Sequence, residues 1–128
     1  MVLDTSAIIA IHFQEPDYER LIEALSHADL VMAGVPTVLE SAMLLTARLG
    51  QDARPLLYAF LRRVEVELVA FNEEHLDAAT TAFLRFGRGR HPAALNFGDC
   101  MAYAVASVAG LPLLFTGEDL ARTDIARA

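Results

Sequence analysis

Short apolar runs alternate with longer segments of helical periodicity along the whole of this 128-residue chain. An apolar run of a few residues bounded by turn formers reads as a buried strand. Strands separated by helices must pair in parallel, because each connection crosses over the sheet. Such a sheet is covered on both faces. The alternation runs for four or so rounds, so it predicts an α/β fold of three layers, α/β/α, around a central parallel sheet of four or five strands. Residues 1–128 are expected to form a single domain.

Met1 to Leu3 reads as the first strand and ends at Asp4. Thr5 or Ser6 then caps a helix from Ala7 to Phe13. Pro16 opens a second helix to about His27. Leu30 to Ala33 is the second strand, Gly34-Val35-Pro36 its exit turn, and a helix follows to Leu49 with Gly50 as its stop. Another helix covers Asp52 to Arg63. From Val64 to Ala70, Val64, Val66 and Leu68 alternate with Glu65 and Glu67, as on an edge or half-exposed strand. Asn72 caps a helix to about Phe86. Gly98 to Ala109 is apolar nearly all round, which predicts a buried helix. Leu113 to Phe115 is the last strand, and a short helix follows Gly117.

In parallel sheets, sites lie at the carboxyl ends of strands, near a switch in strand order. That rule gives weight to Asp4, Glu40, Asp99 and Asp119. Asp4 ends the first strand, Glu40 and Asp99 lie in the early turns of helices, and Asp119 follows the last strand. Glu40 is the only acid between Leu30 and Gln51, and Asp99 the only charged residue between His91 and Gly117. An acid in an apolar stretch is costly unless it is paired, solvated or bound to a cation.

Capping accounts for several of these acids taken singly. Thr37-Val38-Leu39-Glu40 and Asn96-Phe97-Gly98-Asp99 have capping-box spacing, and Thr116-Gly117-Glu118-Asp119 resembles it. Asp4 is different, because it ends a buried strand and is read as preceding the cap. Two carboxylates about 4 Å apart repel by roughly 4 kcal/mol at an effective dielectric near 20, which exceeds a helix-dipole gain of about 0.3–1 kcal/mol. If the four meet, protons or cations must offset the repulsion. Oxygen-only donors favour Mg²⁺ or Mn²⁺, and no Cys/His set with zinc spacing exists.

The net charge of −7 argues against a plain nucleic-acid binder. It suits acids that hold metal cations, or a basic partner. All ten cationic residues are arginine; a bias toward GC-rich codons is the plain reading, and arginine also suits bidentate phosphate contacts. A hydrophobic content of 55% argues against disorder. No apolar run is long enough for a membrane span and no signal peptide is expected. Cys100, the only cysteine, fits a reducing cytosol and hence a cytoplasmic protein.

Four segments carry a family resemblance. Val2-Leu3-Asp4-Thr5-Ser6-Ala7 looks like the opening motif of PIN domains. Pro36-Thr37-Val38-Leu39-Glu40 resembles the segment bearing their second acid. Asn96-Phe97-Gly98-Asp99-Cys100-Met101-Ala102-Tyr103-Ala104 resembles their most distinctive block, and Leu113 to Leu120 is similar to the closing one. The pattern is most like that of VapC toxins of toxin–antitoxin modules. The resemblance implies a PIN fold and a metal-dependent ribonuclease. Asp4, Glu40, Asp99 and Asp119 would surround Mg²⁺ or Mn²⁺, with Asp4 and Asp99 the direct ligands and Glu118 an alternative to Asp119. Thr5, Ser6, Asn96 and Thr116 match polar positions beside the site. The resemblance also implies a VapB-like antitoxin and a homodimer.

Arg85, Arg88 and Arg90 form the one basic cluster, in a loop with glycines and an aromatic that suits contact with single-stranded RNA; a solvated turn is the competing account. The four histidines are read as surface or loop residues, with His91, at the end of the basic loop, a weak exception; Cys100 is read as packing, and Asp77 and Asp124 as helix-surface or capping residues. Two rival functions stand beside the ribonuclease. One is a catalytically silent PIN-like module that binds RNA or protein. The other is a different Mg²⁺-dependent phosphohydrolase or phospho-accepting domain, which usually needs a lysine that this chain lacks.

Overall fold

Val2 and Leu3 are both fully buried, yet they belong to different cores. Side chains alternate across a strand, so adjacent apolar residues serve opposite faces of a sheet. In the computed structural model, which describes residues 1–128, these two residues are the whole of β1 (Val2–Leu3). It pairs in parallel with β2 (Met32–Gly34) on one side and β4 (Leu113–Leu114) on the other. The edge strand β3 (Glu67–Val69) pairs in parallel with β2, giving the order β3-β2-β1-β4. Beyond β4, the chain end adds a single parallel bridge between Leu113 and Arg127.

Leu3 and Leu114 face one layer of helices, namely α1 (Thr5–Phe13), α2 (Tyr18–Ser26), α3 (Val35–Leu49) and α4 (Arg54–Arg63). Val2, Leu113 and Phe115 face the other, α5 (Glu73–Phe86) and α6 (Phe97–Ala109). Each fully buried leucine contributes roughly 2 kcal/mol, and a one-residue slip in register would exchange the two faces. The three expected layers and the parallel four-stranded sheet are therefore present. No helix is long and apolar enough to cross a membrane.

Several boundaries differ from the sequence reading. The helix after β2 starts at Val35, with extended Gly34 as its cap and Pro36 inside its first turn. Proline is tolerated there because its missing N–H has no helical partner at that position. Thr37 to Glu40 is thus no capping box. Asp17, not Pro16, precedes α2, in a left-handed conformation. The stretch after Gly117 forms only a 3-10 turn, Leu120–Arg122, and Asp119 makes no side-chain cap to it. Asn72 caps α5 as expected, but His75 completes the box: its Nδ1 accepts from Asn72 N at 3.2 Å. His75 is buried beside the Phe71 ring, which corrects its reading as a surface residue.

Candidate active site

The chain builds its sheet outward from β1 through β2 to β3, then returns to place β4 on the other side of β1. The β1/β4 boundary is therefore the switch point, where connections leave in opposite directions and open a crevice at the carboxyl ends. Asp4 stands at the end of β1, its N–H donating to Leu114 O at 3.0 Å.

Asp4 is itself the cap of α1, which corrects the expectation that Thr5 or Ser6 would cap. Its backbone is still extended (φ −91°, ψ 157°), and Ser6 N donates to Asp4 Oδ2 at 2.9 Å. The helix starts directly at Thr5, so strand and cap share one residue. Ser6 Oγ also donates to Asp4 Oδ2 and accepts from Thr116 N at 3.0 Å. Ser6 thereby ties the ends of β1 and β4 together. Asp4 is only 4% exposed. Burial drives its carboxyl above the usual range; the Ser6 bonds oppose that, and the nearby Glu40 charge adds to it.

Asp99 lies in the first turn of α6, in a reciprocal capping box with Asn96. Asp99 N donates to Asn96 Oδ1 and Asn96 N donates to Asp99 Oδ2, both at 2.9 Å. The capping account of this acid is thus correct, but it engages only Oδ2. Burial pushes the Asp99 carboxyl up to about 6; the Asn96 bond and Arg88 oppose the rise, and the charges of Asp4 and Asp119 add to it. Glu40 projects from α3 against α6. A methyl group on Gly98 would overlap Glu40 Oε2 and lie 2.9 Å from its Cδ. Burial raises the Glu40 carboxyl, the Asp99 charge adds to this, and the neighbouring Thr5 hydroxyl opposes it. Thr5 Oγ1 also reaches Thr37 O at 3.4 Å.

Asp4, Glu40 and Asp99 are therefore neighbours, each close enough for another's charge to act on it. Asp119 is exposed, and it, not Glu118, is the acid whose charge reaches Asp99. None of the four has a cationic partner, since the three ion pairs of the chain are Arg48–Glu15, Arg54–Asp52 and Arg85–Asp124. As the side chains stand, no three of them close on one point as a finished metal cage would. The donor set still fits Mg²⁺ or Mn²⁺, because Mg²⁺ keeps several waters and takes one or two carboxylates. Buried Asp4, with hydrogen bonds but no counter-charge, is the feature that a cation would satisfy.

The arginine cluster divides. Arg85 Nη2 donates to Asp124 Oδ2 at 2.7 Å and its guanidinium lies over the Phe86 ring. Arg90 covers the Phe83 ring. Arg88 is exposed and acts on Asp99, so it alone of the three faces the acids. Asp124 also accepts from Tyr103 Oη at 2.6 Å, holding the C-terminal segment to α6 and not the site. Burial pushes the Cys100 thiol up to about 11, so it stays protonated at neutral pH. Gly98 was not legible as a site residue. Its only signal is a small residue next to an acid in a helix's first turn.

A family model for the PIN domain matches residues 1–126. The chain is 43% identical to the ribonuclease VapC30 of Mycobacterium tuberculosis, over 98% of this chain and 96% of that one. The chain belongs to the PIN-domain family of VapC ribonucleases. A VapC ribonuclease of Mycolicibacterium smegmatis is 44% identical, over 98% of each chain. The crystal structure of Mycobacterium tuberculosis VapC20, described as a toxin that cleaves the sarcin–ricin loop, superimposes with a TM-score of 0.79 at 17% identity, over 99% of this chain and 97% of that one. A toxin–antitoxin complex from Klebsiella pneumoniae contains a chain with a TM-score of 0.70 at 14% identity, covering 96% of this chain and 92% of that one. These two likenesses concern the fold.

Proposed function

We propose that this chain hydrolyses RNA phosphodiester bonds at the Asp4–Glu40–Asp99–Asp119 cluster, with Mg²⁺ or Mn²⁺ as cofactor. The observation that carries the reading is a set of neighbouring carboxylates, of which the buried one, Asp4, has no counter-charge from the chain. Asp4 and Asp99 hold the cation, Glu40 completes the donor set, and Asp119 acts from the exposed rim. Ser6 fixes the Asp4 carboxylate, and Asn96 fixes that of Asp99, leaving Asp99 Oδ1 free of the capping bond. A bound divalent ion supplies an activated water and stabilises charge on the leaving oxygen. Arg88 lies where it can bind a phosphate of the incoming strand, while Arg85 and Arg90 must first give up their present contacts.

The toxin role, a VapB-like antitoxin and a homodimer belong to the same reading, and family membership supports them. The charge of −7 suits a basic antitoxin segment laid over the acids. The test is cleavage of a structured RNA pool with Mn²⁺, with EDTA, and with Asp99→Asn. Cleavage that needs the ion and is lost in the variant supports the metal-dependent ribonuclease. A folded protein that binds RNA but never cleaves it supports the silent binding module instead.

A further inference from the structure

We propose that Arg20 is a positioning residue for the Asp4 carboxylate, acting through the Phe115–Thr116 peptide bond and the hydroxyl of Ser6. This inference rests on the reading of Asp4 as a metal ligand. Arg20 lies on α2 and makes no ion pair with an acidic side chain. Its Nη2 donates to Phe115 O at 3.1 Å and its Nη1 to Ala128 O at 3.3 Å. Phe115 O and Thr116 N belong to one peptide unit. That N–H donates to Ser6 Oγ at 3.0 Å, and Ser6 Oγ donates to Asp4 Oδ2.

The chain of bonds thus runs from a guanidinium to the buried acid without a break. A peptide whose carbonyl is held by a cation is polarised, and its N–H becomes a stronger donor. A serine hydroxyl has one proton. With its oxygen engaged by Thr116 N–H, the rotor is fixed and the proton points at Asp4. Arg20 therefore sets the plane of the peptide, the peptide orients Ser6, and Ser6 holds Asp4 Oδ2. The fork geometry of arginine also ties this peptide to the Ala128 carbonyl, which a point-charge ammonium does less well.

The alternative is a plain staple between α2 and the end of β4. A double-mutant cycle separates the two. Arg20→Met, Ser6→Ala and the double variant are compared with wild type for kcat and KM on one RNA, for Mn²⁺ affinity by calorimetry, and for melting temperature. Positioning predicts that Arg20→Met lowers kcat and Mn²⁺ affinity by about 10-fold, with KM for RNA unchanged. In the Ser6→Ala background the same change should cost less than about 2-fold, because the path is already cut. Arg20→Lys should recover most of the loss, and Arg20→Gln, which is neutral, replaces Arg20→Met in the cycle if the methionine variant does not fold. Equal losses in both backgrounds, tracking melting temperature, overturn the proposal. A wild-type protein that neither binds Mn²⁺ nor cleaves overturns the metal reading on which it stands.

Discussion

Gly98 occupies the place where Glu40 and Asp99 are brought side by side. An added methyl group meets only the end of a flexible carboxylate, so the fold can absorb it. Alanine is also the better helix former, by up to about 1 kcal/mol. Gly98→Ala is therefore expected to keep or slightly raise the melting temperature while cutting RNA cleavage by about 10-fold through displaced Glu40. A large fall in stability would show that backbone, not the carboxylate, fills that space. Asp99 gives the complementary prediction. Its carboxyl is raised to about 6 in the fold, so the folded state binds its proton more tightly than the unfolded chain. That stabilisation is complete below the ordinary carboxylate range and is lost as pH rises through about 6. Asp99→Asn keeps an oxygen for Asn96 N and removes the charge. Without metal, it should gain about 1 kcal/mol over wild type at pH 7, after discounting for solvent screening. Melting curves in EDTA should show the gap closing toward pH 4, and cleavage should be lost at every pH.

The helix starts carry the acids, and they do so in three different ways. Asp4 is a cap and the end of a strand at once, Asp99 closes a capping box from the third helical position, and Glu40 is past the first turn and caps nothing. Capping and ligation therefore fall on one carboxylate at Asp4 and again, through a reciprocal box, at Asp99. Removing the other half of its box, with Asn96→Ala, should cost about 1 kcal/mol in a denaturant titration. It should also lower cleavage, because nothing then fixes the Asp99 rotamer. If stability falls and cleavage does not, Asn96 only caps. The Arg85–Asp124 pair at the far end of α5 is about half exposed, so it contributes little to stability.

At the scale of the whole molecule, the charges of Asp4, Glu40 and Asp99 oppose one another beside the crevice between β1 and β4. Mn²⁺ should relieve that repulsion, and a ligand that binds only the folded state stabilises by about 2.7 kcal/mol at 100 times its Kd. Calorimetric melting with Mn²⁺ should rise by several degrees at pH 7. The rise should be far smaller in Asp4→Asn. An equal rise in that variant would place the ion elsewhere.

Local sequence determined the elements whose signals are local. Asn72 and Asn96 as caps, Gly50 as a stop and the apolar α6 follow from side-chain chemistry within one or two turns, and the isolation of Glu40 and Asp99 marked them as acids with a task. Strand alternation implied the parallel sheet, and four motifs implied the family. What the sequence left open is what depends on groups far apart in the chain. Asp4 as its own cap, the burial of His75, Arg85 drawn off to Asp124, Asp119 in place of Glu118 beside Asp99, and the contact of Glu40 with Gly98 all require distances between elements. So does the path from Arg20 to Asp4, whose bonds join residues up to 110 positions apart. A hydrogen bond or a charge acts over a few ångströms of space, and only the closing of β4 against β1 brought those groups within that range.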